Sequence, residues 1–292
     1  MLSTLKNYLM RAILAGLSVM AMIFFVALLI YPSLPNIDRL SEYRPKQPLQ
    51  IFSSEGSLIA EFGEERREYT SIKTVPQKMI NAIIAIEDRR FFEHPGFDII
   101  GVMRAALKNI TGQSHEGAST ITMQVARNFF LSSEKTLKRK INEVLLAIKI
   151  ERNLSKEEIL GLYINQIYLG QRSFGFSAAA DTYFNKSLAE LNLAETALLA
   201  GLPKAPSRYN PFVNPDQSIN RQQSVLYSMK RHGFIDNPTY ILALEEPISL
   251  RDSPQKRELR ADYIAEMVRK TLYAELGAVS YTHLTLPTNR EV

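Results

Sequence analysis

The chain has 292 residues, 46% of them hydrophobic, which is enough for one sizeable domain with appendages. It contains no cysteine, so disulfides and thiolate metal sites are excluded. The formal net charge of +5 suits anionic lipid, phosphate or nucleic acid, but no zinc-finger spacing or RNP sequence occurs, and nucleic acid is not an expected partner.

Residues 12–30, AILAGLSVMAMIFFVALLI, are nineteen uncharged residues in a row. As a helix they would span ~28 Å, about the thickness of a bilayer's hydrocarbon core. The run ends without a small-residue cleavage pattern, so it reads as an uncleaved anchor rather than a signal peptide. Lys6 and Arg11 precede it, and the segment after it is poorer in charge. The positive-inside rule therefore places residues 1–11 in the cytoplasm and the remainder outside, with a single span. Residues 49–53 and 57–62 flank Ser54-Glu55-Gly56 and predict a short hairpin. Pro76 predicts the first turn of a helix running to about Arg90. That helix carries the apolar run MINAIIAI and delivers the acid pair Glu87-Asp88 at its end, before a His94-Pro95-Gly96 turn.

Asp98 is a candidate cap for DIIGVMRAALKN, and Ser119 or Thr120 for ITMQVARNFFL. In RKINEVLLAIKIE at 139–151, Lys140 and Glu143 are three apart and share a helix face, while Leu145, Leu146 and Ile148 supply a buried stripe. Ser155 with Glu158 forms a capping box for KEEILGLYINQIYL. Residues 189–202 and 218–233 have helical apolar spacing, whereas LPKAPSRYNPF cannot form a long helix. Strands and helices do not alternate, so the expected fold is mainly α. Singly, these features are a helix end, a cap and a surface ion pair worth well under about 1 kcal/mol. Together, a carboxylate at a half-buried helix end and a Gly/Ser/Thr loop at a helix N-terminus suit an anionic sugar donor.

Five segments in order, EDRRFFEHPGFD (87–98), GASTITMQVARN (117–128), RKINEVLLAIKIE (139–151), KEEILGLYINQIYLG (156–170) and ALLAGLPKAPSRYNP (197–211), resemble the motifs of the peptidoglycan glycosyltransferases. Class A penicillin-binding proteins carry this domain just outside the membrane. The resemblance covers about residues 50–250. It implies a lysozyme-like helical domain that polymerises lipid II, with inversion and release of polyprenyl diphosphate. By their matches, Glu87 is the general base and Glu143 the second catalytic glutamate, on the diphosphate side, directly or through a divalent metal. Asp88, Ser119, Thr120, Gln124, Arg127, Lys140 and Asn165 match substrate-binding positions. The implied partners are lipid II, the growing glycan strand, inner-membrane lipids and other cell-wall synthesis proteins. No cofactor is required, and a divalent cation, Mg or Mn, is compatible with the diphosphate. The site would then lie on the outer face of a bacterial inner membrane.

Two departures stand out. Met123 replaces the first glutamine of a TITQQ pattern, and Gly161 stands where glutamate is common. The S-x-x-K hits at Ser132–Lys135 and Ser253–Lys256 lack the downstream SDN- and KTG-like segments of penicillin-reactive serines. His94, His115 and His232 are too scattered for a metal cluster, and His94 reads as a turn residue. Residues 251–278 resemble the start of a linker toward the transpeptidase domain of bifunctional class A members, and 279–292 read as a non-native tail, so the chain is expected to be cut before that domain. Two other functions stay open: a lysozyme-like lytic transglycosylase or hydrolase, which would also use a catalytic glutamate, and an inactive membrane-anchored cell-wall scaffold.

Overall fold

The structure, a computed structural model, describes residues 49–55, 58–63, 65–110, 119–131, 136–251 and 262–276, together with scattered positions between 10 and 40. The described elements in chain order are strands β1 (Leu49–Phe52), β2 (Leu58–Phe62) and β3 (Arg66–Arg67), then helices α1 (Gln77–Glu87), α2 (Ile99–Ile110), α3 (Ile121–Phe130), α4 (Leu137–Glu151) and α5 (Lys156–Gln166). Strand β4 (Ser173–Phe174) follows, then α6 (Phe176–Phe184), α7 (Leu193–Gly201), α8 (Pro215–Arg231), α9 (Asn237–Glu245) and α10 (Asp262–Leu276). The fold is mainly α, as expected. Two compact units are formed, one of Met1–Glu42 with Phe92–Ile159 and one of Tyr43–Phe91 with Leu160–Val292.

In the first unit α3 packs on α4. Thr120 is the N-cap of α3, its hydroxyl accepting from the Met123 N–H at 3.2 Å. Thr136 caps α4 in the same way, accepting from the Arg139 N–H at 3.1 Å. The turn at His94–Gly96 is pinned to both helices. Thr120 Oγ1 donates to the Gly96 carbonyl at 2.7 Å, and Lys156 Nζ donates to the His94 carbonyl at 2.6 Å and to Glu151 Oε1 at 2.7 Å. Gly96 has φ +86°, and a Cβ there would lie 2.8 Å from the Ala147 carbonyl oxygen, so the turn needs glycine for both reasons.

The second unit is built around α7, buried at every position from Ala194 to Gly201 and packed on α1, α6, α8 and α9. A helix buried all round, apolar except for Glu195 and Thr196, belongs in an interior. It starts with a capping box: Asn192 Oδ1 accepts from the Glu195 N–H at 2.8 Å, and Glu195 Oε2 accepts from the Asn192 N–H at 3.0 Å. Glu195 is fully buried, and its charge is met by Lys186 Nζ at 2.7 Å. Helix α1 buries Met79, Ala82, Ile83, Ile84 and Ala85, the apolar run of the sequence.

The predicted hairpin is present as antiparallel β1–β2, with Leu49 opposite Phe62 and an irregularity at Ile51/Phe52. The predicted capping box at Ser155 is also present: Ser155 N–H and Oγ donate to Glu158 Oε2 at 2.7 and 2.8 Å. These donors hold the Glu158 carboxyl below its ordinary pKa. Helix α1, however, stops at Glu87 rather than near Arg90. Asp88 adopts φ −159°, ψ 76°, which takes the backbone out of the helix although its N–H still reaches the Ile84 carbonyl. Helices α6 and α9 and the parallel β3–β4 pair were not expected from the sequence. Every residue of α6 except Asp181 is buried, so it shows no polar face to reveal a helical period.

Among the described residues no helix is long and apolar enough to cross a membrane. Of residues 12–30, positions 14, 16, 18, 21, 22, 25, 29 and 30 are described. All are helical, and Leu14, Met22, Phe25 and Leu29 are exposed. The other positions of the expected anchor lie outside the described residues, as do both S-x-x-K segments, His115 and the tail 279–292.

Gly161 lies inside α5 with ordinary helical φ. A Cβ at this position would meet the Ile72 Cβ at 3.5 Å, a normal contact. A glycine inside a helix costs about 1 kcal/mol relative to alanine. Gly161→Ala should therefore raise the free energy of unfolding by about 0.5–1 kcal/mol, read from chemical denaturation midpoints.

Candidate active site

The first unit brings together Ser119, Lys140 and Glu143. Glu143 is buried, with 1% of its side chain exposed, while Lys140 on the same face of α4 is 43% exposed. Lys140 Nζ donates to Glu143 Oε2 at 2.9 Å and to Ser119 Oγ at 2.7 Å. Arg139 Nε lies 3.4 Å from the other carboxylate oxygen, an ion-pair distance without hydrogen-bond geometry. The buried carboxylate is thus compensated by two cations, as an ion in a low-dielectric site must be. Lys140 in turn ties α4 to the residue before the α3 cap. Thr120, Gln124 and Arg127 follow at spacings of four and three on one face of α3. Thr120 and Gln124 are buried, and Arg127 is half-buried in the last turn. The Thr120 hydroxyl is engaged in capping and in the Gly96 bond, which fixes the α3 N-terminus, where backbone amides and the helix dipole favour an anion.

The second unit holds Glu87, Asp88 and Asn165. Glu87 ends α1 with 12% of its side chain exposed, and its Oε1 lies 3.8 Å from Nη2 of Arg221 on α8. Arg221 also donates from Nε to the Gly201 carbonyl at 3.1 Å, and its guanidinium carbon is 5.7 Å from the centroid of the Tyr209 ring. Burial pushes the Arg221 pKa down, and the Glu87 charge opposes that shift. A Cβ at Gly201 would lie 2.8 Å from the Arg221 Cγ, so the glycine of AGLPK lets this arginine lie against the end of α7. Asp88 is buried.

Asn165 works as a backbone mimic. Its Oδ1 accepts from the Thr70 N–H at 2.8 Å, and its Nδ2 donates to the carbonyls of Thr70 at 2.9 Å and Gly161 at 2.8 Å. This stitches the 69–70 segment to α5, a positioning role that the sequence did not reveal. Asn165→Ala should cost about 1 kcal/mol, since two part-buried backbone groups of Thr70 lose their partner. The midpoint of thermal unfolding reports this directly, and an unchanged midpoint would contradict the assignment.

Sequence reasoning missed Arg139 and Arg221. Arg139 was within reach, being four residues before Glu143 on the same helix. Arg221 was not, because nothing local ties it to Glu87. Among the described residues no three His, Cys, Asp or Glu side chains converge as metal ligands. Glu143 is already faced by two cations, a poor start for a metal cage.

Comparison with known proteins places these features in context. The family model described as Transglycosylase matches residues 55–230. The chain is similar to penicillin-binding protein 1A of Neisseria gonorrhoeae, 52% identical over 259 residues, which is 88% of this chain and 32% of that protein. Against penicillin-binding protein 1A of Pseudomonas aeruginosa the identity is 48% over 252 residues, 86% of this chain and 31% of the relative. The chain thus spans about a third of the length of the curated relatives it matches. A crystal structure of penicillin-binding protein 1A from Haemophilus influenzae aligns with TM-score 0.49 and 33% identity, covering 82% of this chain and 26% of that one.

Proposed function

The chain belongs to the transglycosylase family, and we propose that it is a peptidoglycan glycosyltransferase that polymerises lipid II into glycan strands for bacterial cell-wall synthesis. The observation that carries this reading is the Ser119–Lys140–Glu143 cluster, in which a half-exposed ammonium is held by a buried carboxylate beside a helix N-terminus. Such a site suits a leaving diphosphate.

In the proposed reaction Glu87 takes the proton of the 4-hydroxyl of one sugar as that oxygen attacks the anomeric carbon of another. A sugar hydroxyl is a weak nucleophile and needs a base at the moment of attack. The anomeric carbon–oxygen bond to the diphosphate breaks, and the new linkage has inverted configuration. Negative charge grows on the departing polyprenyl diphosphate. Lys140, Arg127, Ser119 and the amides at the α3 N-terminus are the groups assigned to it, a preorganised set that need not reorient during reaction. Glu143 holds Lys140 in place. Asp88 and Gln124 keep the substrate-binding roles that the family resemblance gives them, and Asn165 positions the segment it binds. The fixed cations take the charge of the leaving diphosphate, and a divalent cation, Mg or Mn, is compatible with the same site.

The fold class proposed for the catalytic domain is lysozyme-like. The N-terminal run 12–30 is proposed as a single-pass anchor in the inner membrane, with the N-terminus cytoplasmic and the catalytic domain outside. Supporting this are Lys6 and Arg11 before the run, and the exposed apolar side chains at its described helical positions. Its substrates are lipid II and the growing strand, with membrane lipids and other cell-wall synthesis proteins as neighbours. The test is stoichiometry: purified protein given lipid II in detergent should release one polyprenyl diphosphate per glycosidic bond formed. Bond formation without diphosphate release would refute the reading.

A further inference from the structure

Arg221, Ser228 and His232 of α8 are spaced seven and four residues apart, which puts them on one face of that helix and its C-cap. All three reach the end of α1. Arg221 lies 3.8 Å from the Glu87 carboxylate. Ser228 Oγ donates at 2.6 Å to the carbonyl of Ala85, one of the last-turn carbonyls that a helix leaves without an internal partner. His232 Nε2 lies 3.0 Å from Nη1 of Arg89, two residues beyond Glu87. One helix face therefore contacts the carboxylate, the last turn behind it and the turn ahead of it.

The chemistry of the partners fixes the state of the imidazole. Nδ1 is 2.8 Å from the Ser228 backbone carbonyl, which can only accept, so Nδ1 carries the proton. A guanidinium can only donate, so Nε2 is bare. Both contacts assign the same neutral tautomer. A second proton would sit on Nε2 and face an arginine N–H, turning a hydrogen bond into a clash of donors and of like charges. Among the described residues, Arg89 from the turn after α1 is a charged group in contact with the ring. Glu87 and Arg221 lie further along this face, the Ala85 carbonyl of α1 is taken by Ser228, and the neighbouring Lys230 turns to the Tyr240 ring of α9 at 4.7 Å.

We infer that His232, in its neutral form, is a positioning residue for Glu87: by accepting from Arg89 it fixes the turn after α1, and protonation of the ring releases that turn. This rests on the reading of Glu87 as the base. Small displacements of a catalytic group cost much rate, up to about 100-fold for 1 Å.

The experiment follows lipid II polymerisation by the full chain in detergent across pH. His232→Phe, which has no acceptor, should lower kcat about tenfold and leave KM unchanged. His232→Gln, whose amide oxygen accepts from Arg89 at any pH, should restore most of kcat and remove part of the acid-side fall expected of the original chain. Arg89→Met combined with His232→Phe should be no slower than either alone, because both break one contact. Normal kcat in His232→Phe, failure of glutamine to rescue, or identical acid-side profiles in the original chain and His232→Gln would each overturn the inference. Glu87→Gln is assayed alongside. If it is inactive while His232→Phe is normal, only the inference fails. If it polymerises normally, the reading of Glu87 fails and the inference with it.

Discussion

Glu87→Gln should lose at least ~100-fold in polymerisation rate, the usual scale of general-base catalysis, while still binding lipid II. Glutamine keeps the size and shape of the side chain, so the buried end of α1 and the residues packed behind it are undisturbed. What disappears is the proton acceptor. The Arg221 contact, at 3.8 Å, is an ion pair rather than a hydrogen bond, and its weakening is a small effect beside the loss of the base. The measurement is the initial rate of lipid II consumption, with thermal unfolding as a control for folding. A variant that polymerises at near the original rate would remove Glu87 from the chemistry.

Lys140→Met should be of similar size, about 100-fold or more in kcat, because in the proposed reaction it deletes a donor to charge that develops only as the diphosphate leaves. Its ammonium is held at 2.7 and 2.9 Å by Ser119 and Glu143, so it is fixed before substrate arrives. The loss should fall on kcat more than on KM, the sign of an interaction stronger in the transition state. Lys140→Arg should recover only part of the rate, since a planar fork cannot occupy the compact position between Ser119 and the buried carboxylate. A Lys140→Met variant with raised KM and unchanged kcat would reassign this lysine to ordinary substrate binding.

Much of the site was legible because its signals are local. The cap at Thr120, the box at Ser155 and Glu158, and the Lys140–Glu143 pair all depend on residues within one helical turn of each other, and all are present. The end of α1 was misplaced by three residues because nothing in the sequence marks the extended conformation of Asp88. Helix α6 escaped notice because it is buried on nearly every side, and apolar periodicity needs a polar face to register against. Arg221 and His232 were beyond reach for another reason. Their meaning lies in contacts with Glu87 and Arg89, far away in the chain, and the sequence offered only a histidine too isolated for a metal site. Asn165 stands among the site residues by its match, and its polar atoms also bond to the backbone at Thr70 and Gly161, contacts that the sequence did not reveal.

On the proposed function this protein builds glycan from a lipid-linked donor rather than cutting it. Purified protein should be incubated in parallel with lipid II and with finished peptidoglycan, and the products of both separated by length. Lipid II should give long glycan strands and free polyprenyl diphosphate, and finished peptidoglycan should give no fragments. Release of soluble muropeptides from peptidoglycan, with lipid II left unchanged, would contradict it.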